Sequence, residues 1–286
     1  MNTLKLALIG NAVMSLLTGL ILSIFPKQVA AIFATTQYLP FLLIGLALLY
    51  FCATIVLEVY KQRPLPILWI IIQDILWVAA SAYIILARPL PISEIGYGLI
   101  AVIAVLVLLF SVFQTLGLAK LDNKEGTNSK QLHFSRKVPT SKAIAWSLIS
   151  DLEDYAAVAS NIDQVKIISG SGEGMQRACS HGEESWTETC TLWEEEKAYS
   201  FTVDTAASDY PYPFRSLKGT WEIRSANDQE TEIVMTFVFE FNRWIQNVLI
   251  YPFMKNQFKK ICEEILDRWE AKSIALKKTD NNEIRV

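Results

Sequence analysis

Histidine is nearly absent from this sequence, cysteine is scarce, and there is no long run of one charge. The two histidines, His133 and His181, and the four cysteines, Cys52, Cys179, Cys190 and Cys262, form no C-x-x-C pair and no cluster with metal-ligand spacing. A zinc centre therefore has no support, and no metal site is expected. So few cysteines also exclude a disulfide-built secreted scaffold; reduced, buried packing is the ordinary use of such residues. The formal net charge is −3 and no polybasic tract occurs, which excludes the basic footprint of a nucleic-acid binder. No nucleophile–base pair is visible, so no catalytic residue is assigned. Gly170-x-Gly172-x-Gly174 lacks the dinucleotide spacing and precedes a strand pattern, so it reads as a loop and no cofactor is expected.

Charge is also scarce in one half. Residues 1–119 contain only Lys5, Lys27, Glu58, Lys61, Arg63, Asp74, Arg88 and Glu94. All remaining charges follow, with acidic residues in excess. The first block has the composition of a membrane segment and the second that of a soluble domain, which excludes a single soluble domain and a disordered chain.

Four apolar stretches fill the first block: about 4–25, 38–59, 66–87 and 92–119. They stop at Pro26-Lys27, Lys61-Gln62-Arg63-Pro64, Arg88-Pro89 and Lys120. Each reaches the ~20 residues needed to cross a hydrocarbon core of ~30 Å. We read a membrane domain over 1–120, an all-α bundle of four transmembrane helices. The first stretch is longer than a signal-peptide core, although Val29-Ala30-Ala31 leaves a cleavage site as an alternative. Lysine and arginine flank one set of helix ends (Lys5, Lys61, Arg63, Lys120, Lys124, Lys130) and only Lys27 and Arg88 the other. This places both termini in the cytoplasm of an integral, multi-pass protein of the cell membrane. Within the spans, Gln73 and Asp74 are the polar residues to weigh. A carboxylate at that depth is either a functional site or a hydrogen-bonding joint to Asn11, Ser15 or Thr18. Ser15-x-x-x-Gly19 has the spacing of a small-residue packing face.

Residues 121–130 are polar, with Gly, Asn and Ser, and read as a linker. Beyond them the hydrophobic period changes. Strands are expected at 131–138, 165–169, 175–181, 184–193, 199–205, 214–224 and 231–241. Short helices are expected at 142–149 and from Asp154-Tyr155. A two-residue turn at Gly182-Glu183 sets a hairpin register. It places His181 opposite Glu184, Cys179 opposite Trp186, Arg177 opposite Glu188 and Met175 opposite Cys190. Alternation gathers Tyr199, Phe201, Val203, Leu217, Trp221, Ile223, Met235, Phe237 and Phe239 on the same sheet face, and Thr187, Thr189, Thr202, Asp204, Thr236 and Glu240 on the other. From Pro252 to about Lys277, Phe258, Ile261, Cys262, Ile265, Leu266 and Trp269 recur at helical spacing and would cover the aromatic face. The domain spans 131–278, with a tail at 279–286. His133 and His181 are expected at the surface, and Glu194-Glu195-Glu196 as a solvated acidic corner.

The segment Phe134-Ser-Arg-Lys-Val-Pro-Thr-Ser-Lys-Ala-Ile-Ala-Trp146-Ser-Leu-Ile-Ser-Asp151-Leu-Glu-Asp-Tyr155 resembles the opening of START-like proteins. The glycine-rich turn before Met175-Gln-Arg177-Ala-Cys179, then Trp193 with its acidic run, and the last helix are similar in order to the same superfamily. Its members include polyketide cyclases/dehydrases and lipid-transport proteins. The resemblance covers about 131–276 and implies an α+β helix-grip fold, an antiparallel curved sheet wrapped around a long C-terminal helix. It further implies an apolar cavity between sheet and helix. Candidate lining residues are Arg177, Cys179, Trp186, Glu188, Tyr199, Phe201, Trp221, Met235, Phe237, Phe258, Ile261 and Ile265. Arg177 and Glu188 face inward to orient a ligand head group, or form a half-exposed cross-strand pair.

Two further segments are rich in aromatic and apolar residues. Ser208–Arg215 alternates aromatics with prolines and would act as a lid or touch lipid. Trp244–Met254 would lie on the bilayer or over the cavity mouth. The expected function is a membrane-anchored cytoplasmic domain that binds, presents or transfers a lipid, isoprenoid quinone or other hydrophobic small molecule, with membrane lipids as partners. Two alternatives remain: an enzyme of cyclase/dehydratase type, and a sensor or assembly factor with the four helices as effector. Oligomeric state is not written in the residues.

Overall fold

A computed structural model describes residues 2–227 and 230–283, with side chains described except at 225–227 and 278–283. The chain divides into two compact units, 1–121 with 247–252, and 122–246 with 253–286.

The first unit contains α1 (Thr3–Ile24), α2 (Pro26–Ile32), α3 (Leu39–Lys61), α4 (Pro64–Ala87) and α5 (Glu94–Ala119). The four long helices are each long and apolar enough to cross a membrane. Their starts are set by local chemistry. The Asn2 side chain accepts from the Lys5 N–H at α1, and Ser93 accepts from the Gly96 N–H at α5, satisfying donors that a helix start leaves open. Pro26, at which the first apolar stretch stops, also opens α2, because proline at the first helical position loses no hydrogen bond. The outer faces are apolar: Leu43, Leu57, Leu76, Leu86 and Val102 are all more than half exposed, a surface that calls for lipid rather than water. α1 packs against α3 and α5. At Gly45 a Cβ would lie 2.6 Å from Ser23 Oγ and 2.8 Å from its backbone nitrogen, so this crossing needs glycine. Packing is dense where Leu4 and Leu8 meet Ile55, Ile67 and Leu118. Val248, from the 247–252 segment, is buried in the same cluster.

The second unit holds a seven-stranded sheet: β1 (Lys130–Val138), β2 (Gln164–Ser169), β3 (Gln176–His181), β4 (Glu184–Glu194), β5 (Ala198–Val203), β6 (Phe214–Asn227) and β7 (Glu230–Phe241). Their spatial order is β1-β7-β6-β5-β4-β3-β2, and every pairing is antiparallel. Two short helices, α6 (Lys142–Ser150) and α7 (Tyr155–Val158), follow β1. After β7 come the short α8 (Gln246–Leu249), which carries Val248, and the long α9 (Tyr251–Glu283), which ends the described chain. This is the helix-grip arrangement expected from the resemblance. Gly182 adopts φ +60, and the hairpin pairs His181 with Glu184, Cys179 with Trp186 and Arg177 with Glu188, as the turn spacing requires. A bulge between Cys190 and Leu192 interrupts the β4–β5 ladder, and bulges of this kind bend a sheet. Cys262, Ile265, Leu266 and Trp269 of α9 are buried on the aromatic face in one core with Tyr199, Phe201, Trp221 and Met235.

Within 121–130 the Lys124 N–H donates to Ser129 and the Gln131 N–H to Asp122, while Lys255 pairs with Asp122 at 2.6 Å. Of the tail at 279–286, residues through Glu283 continue α9 and 284–286 lie outside the described residues.

Candidate functional site

The β3–β4 hairpin puts two opposite charges on the core face, opposite each other by register. The Arg177 Nε donates to Glu188 Oε2 at 2.9 Å and Nη2 lies 2.7 Å from the same oxygen. The other carboxylate oxygen, Oε1, accepts from the indole Nε1 of Trp186 at 2.8 Å. Arg177 is 1% exposed, so the inward orientation holds and the half-exposed surface pair does not. Its guanidinium carbon sits 3.8 Å from the centroid of the Phe201 ring and 5.5 Å from that of Tyr155. Burial alone would lower the guanidinium's pKa; the Glu188 carboxylate beside it more than reverses this, and the net direction is upward. The arginine is therefore a permanent buried cation.

Around it the aromatic residues form a continuous layer. Tyr199 stacks on Trp221 with centroids 5.1 Å apart and meets Phe201 edge-on at 5.9 Å. Trp221 touches Phe237 edge-on, and Phe237 touches Phe258 of α9. Cys179, Met235 and Ile265 are buried in the same core, with Trp186, Phe237, Phe258 and Ile261 half-buried against it. All twelve residues proposed from the sequence thus share one region. Burial pushes the Cys179 and Cys262 thiols up to about 12 and the Tyr155 and Tyr199 phenols upward, so none of them ionises near neutrality.

Two polar atoms in this region are donors without a hydrogen-bond partner: Arg177 Nη1 and Trp221 Nε1, both buried. Each side chain packs on the Tyr155 ring. An unmet buried donor costs about 1–3 kcal/mol, so this apolar face is electrostatically matched to an acceptor oxygen. Beside the glycine turn at 170–174 lies an open depression of about 310 Å³, lined in part by Leu152, Ile167, Met175 and Trp193. Tyr212, from the aromatic–proline segment, packs edge-on against Trp186, so that segment covers the outer end of the Trp186–Glu188–Arg177 chain.

The family model described as polyketide cyclase / dehydrase and lipid transport matches residues 130–273. The chain belongs to this family. Among solved structures, protein TTHA0849 from Thermus thermophilus is similar at 17% identity and a TM-score of 0.43, covering 51% of this chain and 98% of its own. The Zhui aromatase/cyclase from Streptomyces sp. R1128 has 14% identity and a TM-score of 0.40, with 50% and 94% covered. A START superfamily protein from Mycobacterium smegmatis has 12% identity and a TM-score of 0.41, with 49% and 97% covered. No curated protein matches the chain.

Several residues that shape the site in this polyketide cyclase / dehydrase and lipid-transport family member escape a reading of the sequence. Tyr155 is marked there as part of a helical turn and of the START-like opening segment, but not as a site residue; its ring contacts Trp221, Trp269 and Arg177. Because α7 has four residues, no hydrophobic period could mark it. Nothing in the sequence singles out Gly219, yet the Trp221 ring lies directly over it. Glu195 and Glu196 are exposed, as expected of a solvated corner, but Glu195 has an additional role, since it accepts from the indoles of both Trp146 (2.7 Å) and Trp193 (3.0 Å). His133 and His181 are exposed, as expected. Gln73 donates back to the Trp69 carbonyl of its own helix, whereas Asp74 accepts from Asn11 Nδ2 at 2.7 Å.

Proposed function

We propose that this chain spans the membrane with its four long helices and uses its family domain to bind an apolar small molecule bearing an acceptor oxygen. Lipids and isoprenoid quinones fit that description, with a long apolar body and a carbonyl or ester group. The observation that carries the reading is the pair of buried donors, Arg177 Nη1 and Trp221 Nε1, on an otherwise apolar aromatic face. Polar groups placed sparsely in an apolar site fix a ligand's orientation. Both Glu188 oxygens are occupied by donors, so this carboxylate is committed to holding Arg177 rather than to moving protons, which favours binding, presentation or transfer over cyclase-type catalysis.

The distribution of lysine and arginine supports a cytoplasmic position for both termini. Trp244, Ile245, Leu249 and Phe253 are exposed in the same stretch of chain that contributes Val248 to the helical unit, and their composition suits the headgroup layer. Anchoring of this kind keeps a binding domain at high effective concentration near the bilayer that stores such ligands.

The test is to purify the full chain in detergent, extract it with organic solvent and identify the bound compounds by mass spectrometry. A stoichiometric compound with an acceptor oxygen, depleted in Trp221→Phe, is the expected result. Recovery of none, together with unchanged tryptophan fluorescence on adding a quinone or phospholipid, would overturn the reading.

A further inference from the structure

Polar ties hold α9 to the rest of the family domain along two flanks, and the two flanks differ. On one, Glu264, Arg268 and Lys272 stand a turn apart and hold α7 and its surroundings. Ser160 Oγ donates to Glu264 at 2.8 Å, Arg268 donates to the Val158 carbonyl at 3.1 Å, and Lys272 pairs with Asp154. On the flank that meets β1 the ties are interrupted. Lys255 pairs with Asp122, whose carbonyl accepts from the Gln131 N–H of β1. Further along, Asp267 and Glu270 both bind Arg136 of β1, at 2.6 and 2.8 Å. Lys259 and Glu263 fall on the same line of the helix but pair with each other, at 3.7 Å. Among the described residues no hydrogen bond or ion pair joins 256–266 to β1. From Lys255 to Asp267 is about 18 Å of helix at 1.5 Å per residue.

The packing loosens over the same interval. Phe134 on β1, Phe237 on β7, and Phe258 and Ile261 on α9 belong to the inner face, yet all four are only half-buried. Their inward neighbours Leu132, Met235, Phe239, Cys262 and Ile265 are buried. Inward-facing apolar side chains that stay accessible mark space that the domain leaves unfilled. Phe237 is the floor of this slot, with its ring centroid 6.5 Å from that of Phe134 and 5.3 Å from that of Phe258. It also touches Trp221 edge-on at 5.7 Å, so the slot leads to the indole whose Nε1 has no partner.

We propose that the seam between β1 and α9 is a lateral portal that holds the single apolar tail of a neutral amphiphile, with its carbonyl head inside against Trp221 and Arg177. The charge at the inner end selects the head. Arg177 is already neutralised by Glu188, so a carboxylate or phosphate would carry an unbalanced charge into the core, whereas a neutral carbonyl accepts from the free donors at no such cost. One ring for a floor suits one chain rather than two. The near end of the slot lies at the start of α9, whose first two residues, Tyr251 and Pro252, belong to the helical unit.

This inference rests on the apolar-ligand reading and adds the route and the ligand class. The probe is a benzoquinone with a ten-carbon tail that ends in a photoreactive diazirine, added to the full chain in detergent. Labelled peptides are mapped by mass spectrometry, and tryptophan quenching reports binding separately. Label is expected on β1 around Phe134 and on α9 around Phe258 and Ile261. Ile261→Trp fills the slot and should lower that labelling about tenfold or more, because each methylene kept out forfeits about fourfold in affinity. Phe134→Trp fills it from the opposite wall and replaces Ile261→Trp if that variant does not fold. Excess palmitate or phosphatidylcholine should compete poorly; efficient competition by either would overturn the neutral, single-tailed class. Quenching with label confined to the depression at Leu152, Ile167 and Trp193, or slot labelling that both filled variants retain, would overturn the portal and leave the binding reading standing. Neither quenching nor label would overturn both.

Discussion

Arg177 and Glu188 face each other across the β3–β4 hairpin, with 1% and 9% of their side chains exposed. Such a pair is costly to bury and costlier to break, because removing one partner strands the other charge in the core. Glu188 has the additional task of accepting from Trp186. Its carboxylate thereby links the aromatic–proline segment, through Trp186, to the buried guanidinium.

Glu188→Leu should therefore destabilise the domain by about 3–5 kcal/mol. Adding Arg177→Met removes the stranded charge and should recover much of that loss, while lowering retention of the apolar ligand. Urea unfolding followed by tryptophan fluorescence on all four members of the cycle measures the coupling. Equal destabilisation by the single and double variants would contradict a buried pair.

Glu195 offers a second test. Its carboxylate joins Trp146 on α6 to Trp193 on β4, so Glu195→Ala removes the acceptor of two indole donors. Because Glu195 is itself exposed, the expected cost is modest, about 1 kcal/mol. Glu194→Ala, one residue earlier in an exposed pair with Lys197, should change stability by less than about 0.5 kcal/mol. Thermal unfolding midpoints of the two variants distinguish them.

The alternation of apolar and polar residues made the sheet legible, and Gly182-Glu183 set the Arg177–Glu188 register, because a two-residue turn leaves one pairing. The helical spacing of Cys262, Ile265, Leu266 and Trp269 likewise announced the covering helix. What the residues did not disclose came from tertiary contact. Tyr155 lies in too short a helix to show a period, and Glu195 looks like any surface acid until Trp146 arrives from a distant element. Nor could a sequence show that Arg177 Nη1 and Trp221 Nε1 lack partners, since that depends on what every neighbour is already doing.

Thiol ionisation gives a pH prediction. Cys179 and Cys262 are pushed up to about 12 by burial, against about 8.5 for an exposed thiol. A group whose folded pKa is raised contributes stability that is complete below its unfolded value and is lost as pH rises through the folded one. Domain stability should therefore decline from about pH 9 toward pH 12, and Cys179→Ala with Cys262→Ala should flatten that decline. Urea midpoints across this range provide the measurement. Iodoacetamide should label neither thiol at pH 8 until urea opens the domain.

Gly219 tests how the aromatic face is built. It pairs with Phe201 on β5 and Phe237 on β7, and a Cβ there would lie 2.6 Å from the Trp221 ring and 3.3 Å from Phe237. Glycine is thus what lets the indole lie flat along its own strand, stacked on Tyr199 with its Nε1 buried. Gly219→Ala should push the indole off Tyr199, cost about 1–3 kcal/mol as an overpacked core does, and reduce ligand retention. In a Trp221→Phe background the smaller ring leaves room for the methyl group, so the same substitution should cost markedly less stability. Additive effects of the two changes would mean that Gly219 serves the strand alone and not the placement of Trp221.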